Sequence, residues 1–204
     1  GDREALARNY NDLKYKSLIE LERPDGLIST QSEPLTDEVM GHLGFSDRSY
    51  RIRDIVDWPG EERDGYVFTA TNTVVNAFYY KNLLLMSAIA GALEKPGDSI
   101  YFAQKAIRVR DTINSKLLDP VRGIYRDGEA TEHASLHANL FPLVFGLVPV
   151  KQQPTVISYI KSKGMACSVY AAQFLLDGLY RFGEADYAQG LMASTGSRSW
   201  WNMI

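Results

Sequence analysis

The sequence predicts an all-α fold built from helical hairpins, and three observations support this prediction. Apolar residues recur at helical spacing along most of the chain, whereas runs that alternate apolar and polar residues, as a half-buried strand requires, are few. Proline and glycine interrupt the helical stretches at short intervals, so successive helices should pack in pairs. A long segment near residues 24–71 lacks sustained periodicity, and we expect it to form loops.

The expected helices begin at capping residues and end at glycine or proline. Asn72 or Thr73 can cap the second helix, and Pro96-Gly97 is interpreted as its stop. Asp98 or Ser99 is the expected cap of the third helix. In chain order, the predicted helices cover residues 2–21, 72–94, 98–117, 135–145, 154–163, 166–182 and 184–193.

The short connections between these helices predict an array of hairpins, either a solenoid or a toroid closed on itself. No motif repeats with a period of 20 to 50 residues, which argues against TPR, HEAT and ankyrin arrays. A toroid therefore remains, and such a barrel carries its functional residues on the loops at one end of its inner helices. The chain of 204 residues is long enough for one domain with a substantial core, so residues 1–204 are treated as one domain.

Composition excludes several classes of function. A net charge of -3 and an isoelectric point near 5.7 offer no basic surface for nucleic acid, and no apolar run reaches the length of a membrane span. Cys167 is the single cysteine, so an intrachain disulfide is impossible, and neither a CxxC pair nor a zinc-binding histidine pattern occurs. We therefore expect no metal and no cofactor, and the compartment, periplasm or cytoplasm, stays open.

The densest polar chemistry lies at residues 54–66, which combine five carboxylates with Arg63, Trp58 and Tyr66. Carboxylates can transfer protons and hold pairs of hydroxyl groups, while aromatic rings offer flat faces to a sugar. This combination is typical of a carbohydrate site. The alternative is a solvated acidic loop, but two large aromatic residues are unusual in an idle exposed loop.

Four stretches in order carry a resemblance to a known family: DWPGEERDGY at 57–66, NTVVNAFYY at 72–80, SLHANLFP at 135–142 and SWWN at 199–202. They resemble signatures of bacterial α-L-rhamnosidases of glycoside hydrolase family 78. The resemblance implies an (α/α)6 toroid that hydrolyses terminal α-L-rhamnosides with inversion at the anomeric carbon. The substrate would be a rhamnose-containing oligosaccharide or glycoside.

The resemblance also implies roles for particular residues. Glu62 matches the general acid, Asp57 matches the acidic residue that grips sugar hydroxyls, and Tyr66 matches an aromatic residue against the sugar. We expect Trp58 and Asp64 to shape the same rhamnose subsite. A general acid must keep its proton near neutral pH, which crowding by neighbouring carboxylates favours.

Three further residues are candidates with an alternative interpretation. Arg63 could bind substrate or form a structural salt bridge, and it should point away from Glu62 if Glu62 is the acid. His137 could line the cleft or be a hydrogen-bonded core histidine. Trp200 could stack on sugar or lie at an exposed apolar edge that promotes self-association.

Two departures from the family pattern affect the expected activity. Residues 67–71 lack the aspartate that many relatives carry after the aromatic residue. The general base of the family follows the SWWN signature at a distance that places it beyond Ile204, so we expect an incomplete toroid, truncated at its C-terminal side, that is inactive by itself. The alternative is a non-catalytic helical module that binds carbohydrate or another partner.

Overall fold

The computed structural model describes residues 2–29, 31, 36–45 and 53–203. Eight α-helices occur in these ranges, connected by turns and short 3-10 segments. The same residues form three isolated β-bridges and no extended strand. The all-α prediction is confirmed. The helices are α1 Arg3–Tyr15, α2 Asp37–His42, α3 Thr73–Ala92, α4 Pro96–Lys116, α5 Leu136–Val144, α6 Gln153–Lys163, α7 Val169–Arg181 and α8 Ala185–Met192.

The helices alternate between an inner and an outer row. α3, α5 and α7 pack side by side, and each forms a hairpin with the helix that follows it, namely α4, α6 and α8. α1 packs on α3. This alternation is the arrangement expected for the hairpins of a helical toroid. All nine residues of α5 are buried, as is typical of a helix with neighbours on every side.

The core lies between the two rows and continues into an aromatic cluster on the inner one. Phe78 of α3 contacts Phe141 of α5, with ring centroids 4.8 Å apart, and Phe174 of α7 lies 5.2 Å from Phe141. Aromatic pairs at these distances and tilted angles are favourable beyond the area they bury. The cluster therefore joins the three inner helices at their adjacent faces.

The end of α1 and the start of α4 differ from the prediction for local reasons. α1 ends at Tyr15 instead of Leu21, because Leu18 adopts a left-handed backbone with φ of 64°. α4 begins at Pro96, which suits a first helical position because its missing N–H needs no partner there. The prediction that Pro96-Gly97 stops a helix was therefore only half correct: the same residues start the next one.

The segment expected to consist of loops contains one short helix. Thr36 accepts a hydrogen bond from the backbone N–H of Val39 and so caps α2. Several residues of this segment fall outside the described ranges. Within the described ranges, no helix is both long and apolar enough to cross a membrane.

Candidate active site

The acidic loop at residues 57–66 lies across the N-terminal ends of two inner helices. Asp57 accepts hydrogen bonds from Ser168, which caps α7, and Asp64 accepts one from the backbone N–H of Leu136, the first residue of α5. Helix N-termini present unpaired N–H groups and a partial positive charge, so carboxylates are stabilised there. Two of the loop's carboxylates therefore hold it onto α5 and α7.

Asp57 is almost completely buried, with 6% of its surface exposed. One carboxylate oxygen accepts hydrogen bonds from the Trp58 N–H, at 2.8 Å, and from the Ser168 hydroxyl. The other accepts from the Ser168 N–H at 2.9 Å and from Nε2 of His137 at 2.8 Å. Burial alone would raise the pKa of Asp57, but these hydrogen bonds outweigh it and lower the pKa to about 2.

His137 is fully buried on α5 and was predicted either as a cleft residue or as a core histidine. Its Nε2 contacts Asp57, while Nδ1 has no hydrogen-bond partner among the described residues. The structure thus places His137 behind the loop, on the side away from solvent.

Asp64 adopts a left-handed backbone with φ of 51°, a conformation that aspartate tolerates better than most residues. Its Oδ2 atom accepts from the Leu136 N–H at 2.7 Å and pairs with Nζ of Lys163 at 3.0 Å. Burial lowers the pKa of the Lys163 ammonium, but its contacts with Asp64 and Tyr159 outweigh burial and raise it. The Asp64 carboxylate is thus occupied by a helix end and a cation.

Glu62 lies in the 3-10 turn Gly60–Glu62, and its side chain is 26% exposed. Its Oε2 atom pairs with Nη2 of Arg198, and the Arg198 guanidinium also donates from Nε to the carbonyl of Met165 at 3.0 Å. Sequence reasoning missed Arg198, because it follows Glu62 by 136 residues and no local pattern marks it. Any proton transfer by Glu62 requires that this ion pair open.

Trp58 and Arg63 also lie on this loop. Trp58 is 65% exposed, and the Trp58–Pro59 peptide bond is cis. Nε of Arg63 donates to the carbonyl of Asp57 at 2.7 Å, and its guanidinium lies over the ring of Phe68 at 5.4 Å. Arg63 thus makes its contacts with the loop backbone and an aromatic ring, and not with Glu62.

Tyr66 is buried, and its hydroxyl donates to the carbonyl of Asp127 at 2.5 Å. Burial raises the pKa of this hydroxyl well above its ordinary value. The ring packs on Phe68 with centroids 5.1 Å apart. Tyr66 offers no open face to a ligand in this arrangement, so the side chain fixes the end of the loop.

Asp127 forms a second buried anchor that sequence reasoning did not identify. Its carboxylate accepts from the Val67 N–H, from the Ser135 N–H and from Nδ1 of His133, at 2.8, 2.8 and 2.6 Å. The His133 ring is partly exposed and lies beside Gly65, where an added Cβ would be 3.5 Å from Nε2. Asp127 therefore joins the end of the acidic loop to the residues that start α5.

A largely apolar cavity of about 610 Å³ adjoins the other end of the loop. Its walls include Trp58, the ring cluster on the inner helices, and the polar residues Arg53 and Asp54. Glu62 and Arg198 do not line it. Asp57 and Trp58 line the cavity, whereas Glu62, five residues after Asp57 on the same loop, does not.

Other chemistry near the loop is limited. Cys167 precedes Ser168 and is buried, which raises the pKa of its thiol to about 12 and leaves it protonated at neutral pH. Trp200 packs against the core, and its Nε1 has no hydrogen-bond partner in the described part of the chain. No group of three or more histidine, cysteine, aspartate or glutamate side chains in that part could hold a metal ion.

Comparisons with known proteins agree with this architecture. The family model of the bacterial alpha-L-rhamnosidase 6 hairpin glycosidase domain matches residues 1–204. No curated protein matches the chain.

Several solved structures share the fold, and three of them are α-L-rhamnosidases. The α-L-rhamnosidase from Dictyoglumus thermophilum is 20% identical with a TM-score of 0.74, over 100% of this chain and 21% of that one. The family 78 rhamnosidase of Bacillus sp. GL1 is 18% identical with a TM-score of 0.65, over 93% and 19%. The Streptomyces avermitilis α-L-rhamnosidase complexed with L-rhamnose is 18% identical with a TM-score of 0.70, over 100% and 17%. The chain thus spans about a fifth of the length of these proteins.

Proposed function

The chain belongs to the family of bacterial α-L-rhamnosidase six-hairpin glycosidase domains, and from this premise we propose that it supplies the general-acid loop of an enzyme that hydrolyses terminal α-L-rhamnosides. The observation that carries the proposal is the orientation of the 57–66 loop. Asp57 and Asp64 bind helix ends, while the Trp58 ring is exposed and the Glu62 side chain is partly exposed. The rhamnose-bound neighbour supports the choice of sugar.

In this proposal Glu62 donates a proton to the glycosidic oxygen as the bond to the anomeric carbon breaks. Trp58 offers its exposed ring face to the sugar. A second carboxylate removes a proton from the water that attacks the opposite face, which inverts the anomeric centre. The resemblance assigns this base to a glutamate that is not among residues 1–204, so we expect no turnover by residues 1–204 alone.

The ion pair with Arg198 sets a condition on this mechanism. A carboxylic acid, and not a carboxylate, must face the glycosidic oxygen, so the entering glycoside has to separate Glu62 from Arg198. Arg198 is partly exposed and can move without unpacking a helix, because it lies after the end of α8.

The test is hydrolysis of 4-nitrophenyl α-L-rhamnoside by the full-length protein and by its Glu62→Gln variant. Glu61→Gln is the matched control, since Glu61 is the exposed neighbour on the same 3-10 turn. We expect Glu62→Gln to lower kcat by about 10²- to 10⁴-fold and Glu61→Gln to leave it unchanged. Equal activity of the two variants would contradict the acid assignment. Proton NMR of the first product should show the β-anomer if the reaction inverts.

One observation favours a second function. The Glu62–Arg198 ion pair is also what a non-catalytic site would retain, because it keeps the carboxylate occupied. A module of that kind would bind L-rhamnose without hydrolysing its glycosides. Calorimetric binding of L-rhamnose by a full-length protein that has no rhamnosidase activity would support this alternative.

A further inference from the structure

We infer that Arg198 is a specificity residue for the leaving group, and that the group from which rhamnose is released carries a carboxylate. A hexuronic acid linked through the hydroxyl next to the carbon that bears its carboxylate fits this description. The inference rests on the proposed role of Glu62 as the general acid, and it adds the chemical class of the aglycone to that role.

Arg198 is held beside Glu62 by part of its guanidinium and keeps further donors free. Its Nε donates to the carbonyl of Met165 at 3.0 Å, and its Nη2 atom pairs with Oε2 of Glu62. A guanidinium has five N–H groups, so three remain without a hydrogen-bond partner among the described residues. One such group on each terminal nitrogen makes up the fork that binds a carboxylate through two parallel hydrogen bonds. The side chain is 46% exposed, so a ligand can reach this fork.

The surroundings of Arg198 place it on the leaving-group side of Glu62. A general acid contacts the glycosidic oxygen, which lies between rhamnose and the group that leaves. Trp58 and Asp57, the residues expected to contact rhamnose, line the apolar cavity, whereas Glu62 and Arg198 do not. With rhamnose on the cavity side of Glu62, the leaving group extends towards Arg198.

Opening of the Glu62–Arg198 ion pair leaves a cation that needs a new partner. Glu62 must become a neutral carboxylic acid, so Arg198 loses its counter-ion when the substrate is in place. A neutral leaving group would cover the guanidinium without compensating its charge, which is unfavourable. A carboxylate on the leaving group compensates this charge, so one contact both binds the substrate and releases the acid.

The other carboxylates of the loop are poor replacements for Glu62. Asp64 is already held by the N-terminal end of α5 and by Lys163. Asp57 is almost completely buried. Glu61 is exposed, and ion pairs between exposed side chains contribute little free energy. An anion supplied by the ligand is therefore the partner that this site favours.

The test compares two disaccharides that differ in one charged group, with the full-length protein as the enzyme. One is 4-O-α-L-rhamnosyl-D-glucuronic acid, and the other is 4-O-α-L-rhamnosyl-D-glucose, which has a hydroxymethyl group in place of the carboxylate. Release of L-rhamnose is measured for both. We expect kcat/KM to be about 10- to 100-fold higher for the uronic acid, which is the range for hydrogen bonds to a charged group.

Arg198→Gln should affect the two substrates differently. We expect kcat/KM for the uronic acid to fall by about 10-fold or more, because its carboxylate loses its partner. For the glucose disaccharide it should not fall, because no ion pair has to open. A merely structural role of Arg198 would lower both values equally. Arg198→Lys keeps the charge without the fork, so it should keep part of the preference, and it replaces Arg198→Gln if that variant fails to fold.

Arg181→Gln is the matched control. Arg181 is also a half-exposed arginine in an ion pair, here with Asp177, but it is the last residue of the 13-residue helix α7. A helix of this length places it roughly 20 Å from the end of α7 that contacts the acidic loop. Its variant should keep the full preference for the uronic acid.

Equal kcat/KM of the wild-type protein for the two disaccharides, or an equal loss on both in Arg198→Gln, would overturn the inference. Glu62→Gln separates it from the proposed function. If Glu62→Gln lowers both values and the uronic acid has no advantage in the wild type, only the inference about the leaving group fails. If Glu62→Gln leaves both values unchanged, or the full-length protein hydrolyses neither disaccharide, the acid assignment and this inference fail together.

Discussion

Asp57 and Glu62 lie five residues apart on one loop, yet the first is buried against two helices and the second reaches the surface beside Arg198. Their difference arises from distant partners, since both carboxylates belong to the same short acidic loop. An acidic loop can therefore contain two kinds of carboxylate, those that bind helix ends and those that are partly exposed and paired with a distant cation. We therefore expect substitutions of the buried carboxylates to lower the free energy of unfolding. Substitutions of the exposed residues of the 57–66 loop should instead change the kinetics and leave stability nearly unchanged.

We expect the largest effect on stability from substitution of the buried Asp57. Asp57→Asn places an amide nitrogen opposite a backbone N–H on either side, Trp58 or Ser168, so one donor always faces another. We expect the free energy of unfolding to fall by about 3 kcal/mol or more, measured by urea denaturation. The exposed Glu61→Gln should stay within about 0.5 kcal/mol of wild type.

The same carboxylate predicts a pH dependence that sharpens the comparison. The pKa of Asp57 is about 2 in the folded protein and near 3.9 in an unfolded chain, so protons bind more tightly to the unfolded state. Its contribution of roughly 2 kcal/mol is complete above about pH 5 and is lost as the pH falls through 4 towards 2. The stability gap between wild type and Asp57→Asn should therefore narrow at pH 3. A gap that is constant from pH 6 to pH 3 would contradict the cause given for the lowered pKa.

Substitution of Asp64 should have an intermediate effect on the free energy of unfolding. Asn keeps the left-handed backbone and can still accept from the Leu136 N–H, so Asp64→Asn removes mainly the charge that faces Lys163. We expect a loss of about 1 kcal/mol in the free energy of unfolding. Lys163→Met should cause a similar loss, and the double variant should lose less than the sum. Additive losses would show that the pair is not coupled.

Substitution of Trp58 should have the smallest effect on the free energy of unfolding and a clear effect on KM. Its ring is mostly exposed, so Trp58→Ala should change the free energy of unfolding by no more than about 0.5 kcal/mol. We expect KM for an aryl α-L-rhamnoside to rise several-fold, because the stacking surface is lost. A large loss of stability with unchanged KM would show that Trp58 holds the loop in place and does not contact the ligand.

Local patterns predicted most of the helices, because capping and periodicity are properties of short stretches. Ser135 and the apolar run after it identified α5, and Gly164 and Gly183 separated the last helices. The start of α4 was predicted two residues too late, because a proline after one helix can also be the first residue of the next. The family resemblance is confirmed by the domain match over residues 1–204.

The orientation of the site residues could not be predicted from the loop itself. Asp57, Glu62 and Tyr66 are all plausible ligand contacts when only neighbouring residues are considered. Their partners Ser168, Arg198 and Asp127 lie 111, 136 and 61 residues later, and only the packing of the hairpins brings them together. The roles of the individual side chains in catalysis stay predictions until the variants are measured.

The anchoring of the loop has a consequence for the order of events during synthesis. Asp57 leaves the ribosome 80 residues before His137 and 111 residues before Ser168. At about 5–20 residues per second, the loop waits roughly 6 to 22 s for its last partner. Until these partners are synthesised, the Asp57 carboxylate cannot make the contacts that hold it in the folded chain. The site is therefore among the last parts of this chain to form, after the hairpin of α3 and α4 has had time to pack.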